Sequence, residues 1–190
     1  MDRRKVLKNI GMGFGAIAIT PTVVGLMQSC QTAPQSMPVF YSKEQFAVLS
    51  GLMELIIPPT DIPGAIELKL PEFTDAYIAA VLSEKRQNEA KSGMEAFIVA
   101  ALSATGKSSA SSVTTAEWDA QLAKYLKSDE APAGEEAASS FAYQLRSLSI
   151  NAFRTNEFIG EQVLAYDPIP GRQEGCVDLL ETTGGKIWSL

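Results

Sequence analysis

Beyond residue 42, apolar residues recur every three or four positions along most of the chain. The first stripe is Phe46, Leu49, Met53, Ile56 and Ile57, opened by Ser42-Lys43-Glu44-Gln45. Ser42 can accept from the Gln45 backbone while Gln45 bonds back, a capping box. The spacing predicts a helix with one buried face, stopped by Pro58-Pro59. After a loop at 60–65, Pro71 suits a first helical turn, and Phe73, Tyr77, Ile78, Val81 and Leu82 form a second face. A break is expected near Ser83, then a polar stretch, then a third stripe of Met94, Phe97, Ile98, Ala101 and Leu102. A Gly/Ser-rich loop at 106–112 leads to a second capping box, Thr114-Thr115-Ala116-Glu117, and to Trp118, Leu122, Tyr125 and Leu126. Past a loop at 129–134, a helix beginning near Glu135 carries Phe141, Leu145, Leu148, Ala152 and Phe153. Thr155 is expected to cap a short helix over 157–164, and the end reads as irregular. Alternating β-branched runs are scarce and no repeat is found. The pattern predicts a mostly α fold: a single domain of five or six helices with an extended C-terminal tail packed on it.

The opening residues follow another pattern. Asp2-Arg3-Arg4-Lys5-Val6-Leu7-Lys8 is charged, and an apolar stretch diluted by Gly11, Gly13 and Gly15 follows, before Gln28-Ser29-Cys30. A charged segment, a short apolar core and small residues before a cysteine describe an export signal. Arg3, Arg4, Leu7 and Lys8 fit the twin-arginine pattern, which serves proteins exported already folded; Asp2 departs from it at the first position. Pro21 and Thr22 interrupt the apolar run, which falls short of the ~20 residues a span needs, so removal is expected. Cys30 reads as a lipid attachment site after cleavage, although Met27 stands where leucine is usual. The other readings of Cys30 are a spare thiol in a discarded peptide and a disulfide with Cys176, which lipidation would exclude. The expected organisation is a signal at 1–29, a flexible Pro-, Gln- and Ser-rich tether at 30–41, and a helical domain at 42–190. The expected location is the periplasm-facing side of a membrane.

Composition narrows the chemistry. The signal holds four of the 16 basic and one of the 22 acidic residues, which leaves 12 and 21 and a net charge of −9. Such a body repels nucleic acid and anionic lipid, so membrane attachment is expected through lipid alone. The chain has no histidine, the commonest metal ligand, general base and haem ligand. Two cysteines cannot build a cysteine-based zinc or iron–sulfur site, and the only Gly-x-Gly, Gly11-Met12-Gly13, lies in the signal with no strand before it. No cofactor, metal or catalytic residue is expected in this chain. Asp61, Glu67, Glu72 and Asp75 crowd one loop and helix start; acid–base work is one reading, macrodipole partners and a turn residue the favoured one. Ser103 and Lys107 are placed in a flexible loop. Trp118, Tyr125 and Phe141 are placed in the core. Cys176 is expected to be a buried, inert thiol.

Two segments carry a resemblance. Ile56-Ile57-Pro58-Pro59-Thr60-Asp61-Ile62-Pro63-Gly64-Ala65 resembles the signature near the start of gluconate 2-dehydrogenase subunit 3, and Gln162-Val163-Leu164-Ala165-Tyr166-Asp167-Pro168-Ile169-Pro170-Gly171, followed by Gly175-Cys176, resembles that family's C-terminal end. The resemblance implies an accessory subunit without activity of its own. Its partner would be an FAD-containing large subunit of the glucose–methanol–choline type that oxidises sugars or sugar acids, joined in some complexes by a cytochrome subunit. Escort of that flavoprotein would explain a folded-cargo signal on a chain with no cofactor site. Asp61, Pro63, Gly64, Tyr166, Pro168, Ile169, Pro170 and Gly171 are the expected partner interface, loops set rigidly by proline and glycine. The alternative at those positions is that both segments only turn the chain and pack on the core. The alternative for the whole chain is a free-standing lipid-anchored binding protein or enzyme.

Overall fold

A computed structural model describes residues 37–128, 132–167, 169, 171 and 176–189. The expected export signal, Cys30 and most of the expected tether lie outside the described residues. Six α-helices follow in order: α1 (Lys43–Ile56), α2 (Leu70–Val81), α3 (Glu84–Thr105), α4 (Thr115–Leu126), α5 (Glu136–Arg154) and α6 (Leu179–Thr183). A 3₁₀ turn at Ala110–Ser112 precedes α4, and a π turn at Ile159–Val163 follows α5. Among the described residues there is no strand, only one parallel bridge between Ala165 and Trp188. Residues 38–190 form one compact unit.

Both capping boxes form. Gln45 N–H donates to Ser42 Oγ and Ser42 N–H to Gln45 Oε1, each at 3.2 Å; Glu117 N–H donates to Thr114 Oγ1 and Thr114 N–H to Glu117 Oε2. These bonds fix the starts of α1 and α4 where the sequence places them, because the groups concerned are within three residues of one another.

The helices converge on Phe97. Its ring is fully buried among Trp118, Tyr125 and Phe141, at centroid separations of 6.0, 5.8 and 5.5 Å. The aromatic stripes of α4 and α5 are therefore core, as expected from their period. Gly93 lets α3 and α5 approach closely: a Cβ there would sit 3.0 Å from Phe141 Cβ.

Several expectations are corrected. The polar stretch after Ser83 is helical, and α3 begins at once at Glu84. Its first turns are solvated and need no apolar stripe; Gln87 reaches back to the end of α2, its amide donating to the carbonyls of Ile78, Ala79 and Leu82. Ile78 and Ala79 are among the last four carbonyls of α2, which a helix end leaves without intrahelical partners, and Leu82 is its C-cap. Ser103 lies within α3 rather than in a loop. Thr155 caps nothing at an N-terminus; it ends α5, its hydroxyl donating to Asn151 O. Asn156 caps the next turn instead, Oδ1 accepting from Phe158 N–H at 3.1 Å. The tail contains α6, capped by Asp178 Oδ1 from Glu181 N–H. Cys176 is exposed and free, not buried.

Candidate partner-docking site

The first expected segment is built onto the end of α1. Ile57 N–H closes the helix on Met53 O, and Ala65 N–H returns to Ile57 O at 3.0 Å. Inside this lap, Thr60 N–H donates to Ile62 O, and Ile62 N–H donates to Thr60 Oγ1, the local turn chemistry that Thr-Asp-x-Pro favours. Glu54 Oε2 accepts from Ile66 N–H at 2.8 Å. Gly64 is buried in the crossing: a Cβ would lie 2.7 Å from Glu54 Oε1 and 2.8 Å from Pro59 N. No larger residue fits without moving backbone, so this glycine sets the lap. Asp61 is exposed at its tip and Pro63 is half-buried.

The second segment leaves the π turn, whose Leu164 N–H reaches Ile159 O. Ala165 then pairs with the tail through Ala165 N–H to Ile187 O at 2.8 Å and Ser189 N–H to Ala165 O at 2.7 Å. Tyr166 and Ile169 project as exposed side chains. Asp167 Oδ1 accepts from Ile169 N–H at 3.3 Å, and Gly171 is exposed at a φ of 66°. Pro168 and Pro170 lie outside the described residues. Asn156 Nδ2 donates to Leu68 O at 3.3 Å, between residues that flank the two segments rather than belong to them. Each is anchored within its own surroundings, the first on α1, the second on the tail.

The crowded carboxylates separate. Asp61 and Glu67 are exposed, Glu72 is half-buried and Asp75 is almost fully buried. Asp75 has a role that sequence reasoning missed. Its carboxylate accepts three successive backbone N–H groups, from Val39 at 2.5 Å, Phe40 at 3.1 Å and Tyr41 at 2.9 Å. The bend at residues 39–41 is clamped to α2 by these bonds. Burial, and secondarily the Asp75 charge, push the Tyr41 hydroxyl pKa well up. The signal was present in the sequence: Asp75 stands three residues before Ile78 and seven before Leu82, on the apolar stripe rather than in the first turn.

Lys107, weighed beside Ser103, is paired with Glu117. That hydrogen bond, then those from Thr114, hold the Glu117 carboxyl down to about 2. Among the described residues no three His, Cys, Asp or Glu side chains come together to hold a metal. An open groove of about 600 Å³ runs between the first turn of α1 and residues 109–118, floored by Val48 and Trp118. A smaller one of about 210 Å³ lies between α2 and α5, along Phe73 and Tyr77. No helix among the described residues is long and apolar enough to cross a membrane.

The architecture defines a small all-α domain whose distinctive sequence lies in hydrogen-bonded turns at the helix ends rather than in a cleft. The family model for gluconate 2-dehydrogenase subunit 3 matches residues 43–171, and the chain belongs to that family. It is by family a subunit of a gluconate 2-dehydrogenase complex, with oxidoreductase partners. No curated protein and no solved structure matches the chain.

Proposed function

We propose that this chain is the non-catalytic small subunit that escorts, anchors and steadies an FAD-containing dehydrogenase of the glucose–methanol–choline type, acting on a sugar or sugar acid. Family membership over residues 43–171 carries the reading. The flavin belongs to the large subunit, and this chain contributes no reacting group. The signal at Arg3-Arg4 and lipid on Cys30 would export the pair folded and hold it at the periplasm-facing membrane surface, with no need of a cytochrome for anchorage. The exposed residues of the two proline–glycine segments are the first-choice contacts for the flavoprotein.

Purification of the full chain from membranes tests this. A flavin absorption spectrum is expected, with one co-purifying oxidoreductase chain identified by mass. A chain that purifies alone and turns over a substrate would replace the proposal with the free-standing enzyme. The open groove beside Trp118 is the one feature favouring that second reading, since its volume falls within the range of about 300–1,000 Å³ for ligand sites.

A further inference from the structure

The family match ends at residue 171, yet the chain continues into a tail that folds back against the second segment. Besides the Ala165–Trp188 bridge, Lys186 Nζ donates to Gln162 O, and a Cβ on Gly160 would meet Ser189 Oγ at 3.1 Å. Residues 160–166 and 184–189 are thus one structural piece, and α6 joins it through Gly184 N–H to Leu180 O. This piece leaves large apolar side chains in water: Leu180 and Ile187 are each 74% exposed, Tyr166 54%, Leu179 53% and Trp188 41%. Five of them on one bridged tail are more than the scattered single apolar residues of an ordinary surface.

Charge selects the occupant. Among the described residues from 157 to 189 the acids are Glu157, Glu161, Asp167, Asp178 and Glu181, and Lys186 is the only base. A second copy would set these acidic side chains against one another in a two-fold contact, and an anionic bilayer would repel them. A protein surface with an apolar centre and a basic rim complements the tail. We infer that the bridged tail, residues 176–189 with Tyr166, is the docking surface for the catalytic subunit of the dehydrogenase, which meets it with apolar pockets ringed by Lys or Arg. The inference rests on the accessory-subunit reading and adds to it a contact surface beyond the family's matched region. Trp188 and Tyr166 act as the aromatic anchors, the residue types that dominate binding energy at such contacts.

The test is co-expression of the full chain with the flavoprotein subunit and measurement of the complex by flavin content after affinity capture. Leu180→Asp with Ile187→Asp is expected to reduce capture at least tenfold while helicity and melting temperature stay at wild-type values, because both side chains are in solvent. Glu157→Lys with Glu161→Lys is expected to weaken capture and flatten its dependence on salt. Val99→Asp, an exposed apolar residue of α3, is expected to leave capture unchanged. Wild-type capture with both double variants equal to it overturns the docking surface and leaves the accessory role standing. Equal loss in Val99→Asp also overturns it. If Leu180→Asp with Ile187→Asp unfolds the chain, the charge reversal decides alone, and unchanged capture there refutes the assignment. A wild-type chain that captures no flavoprotein refutes the accessory role as well. Sedimentation showing a wild-type dimer that the tail variants abolish would assign the surface to a second copy.

Discussion

A buried carboxylate facing three backbone amides cannot be exchanged for its amide without consequence. Asp75 accepts from Val39, Phe40 and Tyr41, and Asn would keep one acceptor oxygen while turning an NH₂ donor toward these donors. Hydrogen bonds to a charged group are each worth about 1.5–3 kcal/mol, and an orphaned buried donor costs about 1–3 kcal/mol. Asp75→Asn is expected to destabilise the domain by about 2–4 kcal/mol, read from denaturant unfolding, with protease sensitivity appearing near residue 39. A second residue-scale prediction concerns acid. Glu117 titrates at about 2 in the folded chain against the ordinary 4.5. Its folded pKa is lowered, so its contribution is fully present above about pH 4.5 and is lost as pH falls toward about 2. Glu117→Gln keeps the cap but removes the charge. The variant is expected to show a shallower loss of stability across that window than the parent, measured as unfolding midpoints, with the difference shrinking in high salt because the pair is at the surface.

Helix ends decide much of the fold at the scale of elements. The last carbonyls of α2 have no partner within their own helix, and the two N–H groups of the Gln87 side-chain amide are shared among Ile78 O, Ala79 O and the C-cap Leu82 O. That single amide sets the sharp α2–α3 junction. Gln87→Ala is expected to cost about 1 kcal/mol and to speed hydrogen exchange in the last turn of α2 while leaving α4 protected. The α1–α2 junction works differently, through backbone: Gly64 admits the crossing of the chain over Pro59, and Lys69 adopts a left-handed φ of 56° just before α2. The Thr-Asp-x-Pro-Gly-Ala signature thus has a structural account at Gly64, whereas Asp61 stands exposed at the tip.

For the whole molecule, the proposed escort role assigns delivery to the expected basic signal and assembly to the acidic helical body. Arg3→Lys with Arg4→Lys retains charge but loses the forked donor geometry of guanidinium. Both this chain and its flavoprotein are expected to stay inside the cell in that variant, followed by fractionation and flavin content; normal export of the pair would contradict the escort role. The Asp75 clamp matters at this scale too. It fixes the start of the helical body at residues 39–41 to α2.

The sequence by itself determined what depends on neighbours within a few residues. Two capping boxes, the apolar stripes that bury Phe97, Trp118, Tyr125 and Phe141 and the stop at Pro58-Pro59 all follow from local spacing, and the family was legible as a resemblance of two short segments. The helical nature of the polar stretch at 84–93 was not legible by period, because a solvated helix end carries no stripe to read. The tertiary structure alone decided what depends on distant groups. Asp75 became a clamp because residues 39–41, more than thirty positions earlier, fold onto it. Cys176 came out exposed, on a tail that pairs with Ala165 through Trp188. The apolar face of that tail likewise arises from a two-residue bridge between segments over twenty positions apart, and no local periodicity encodes such a pairing.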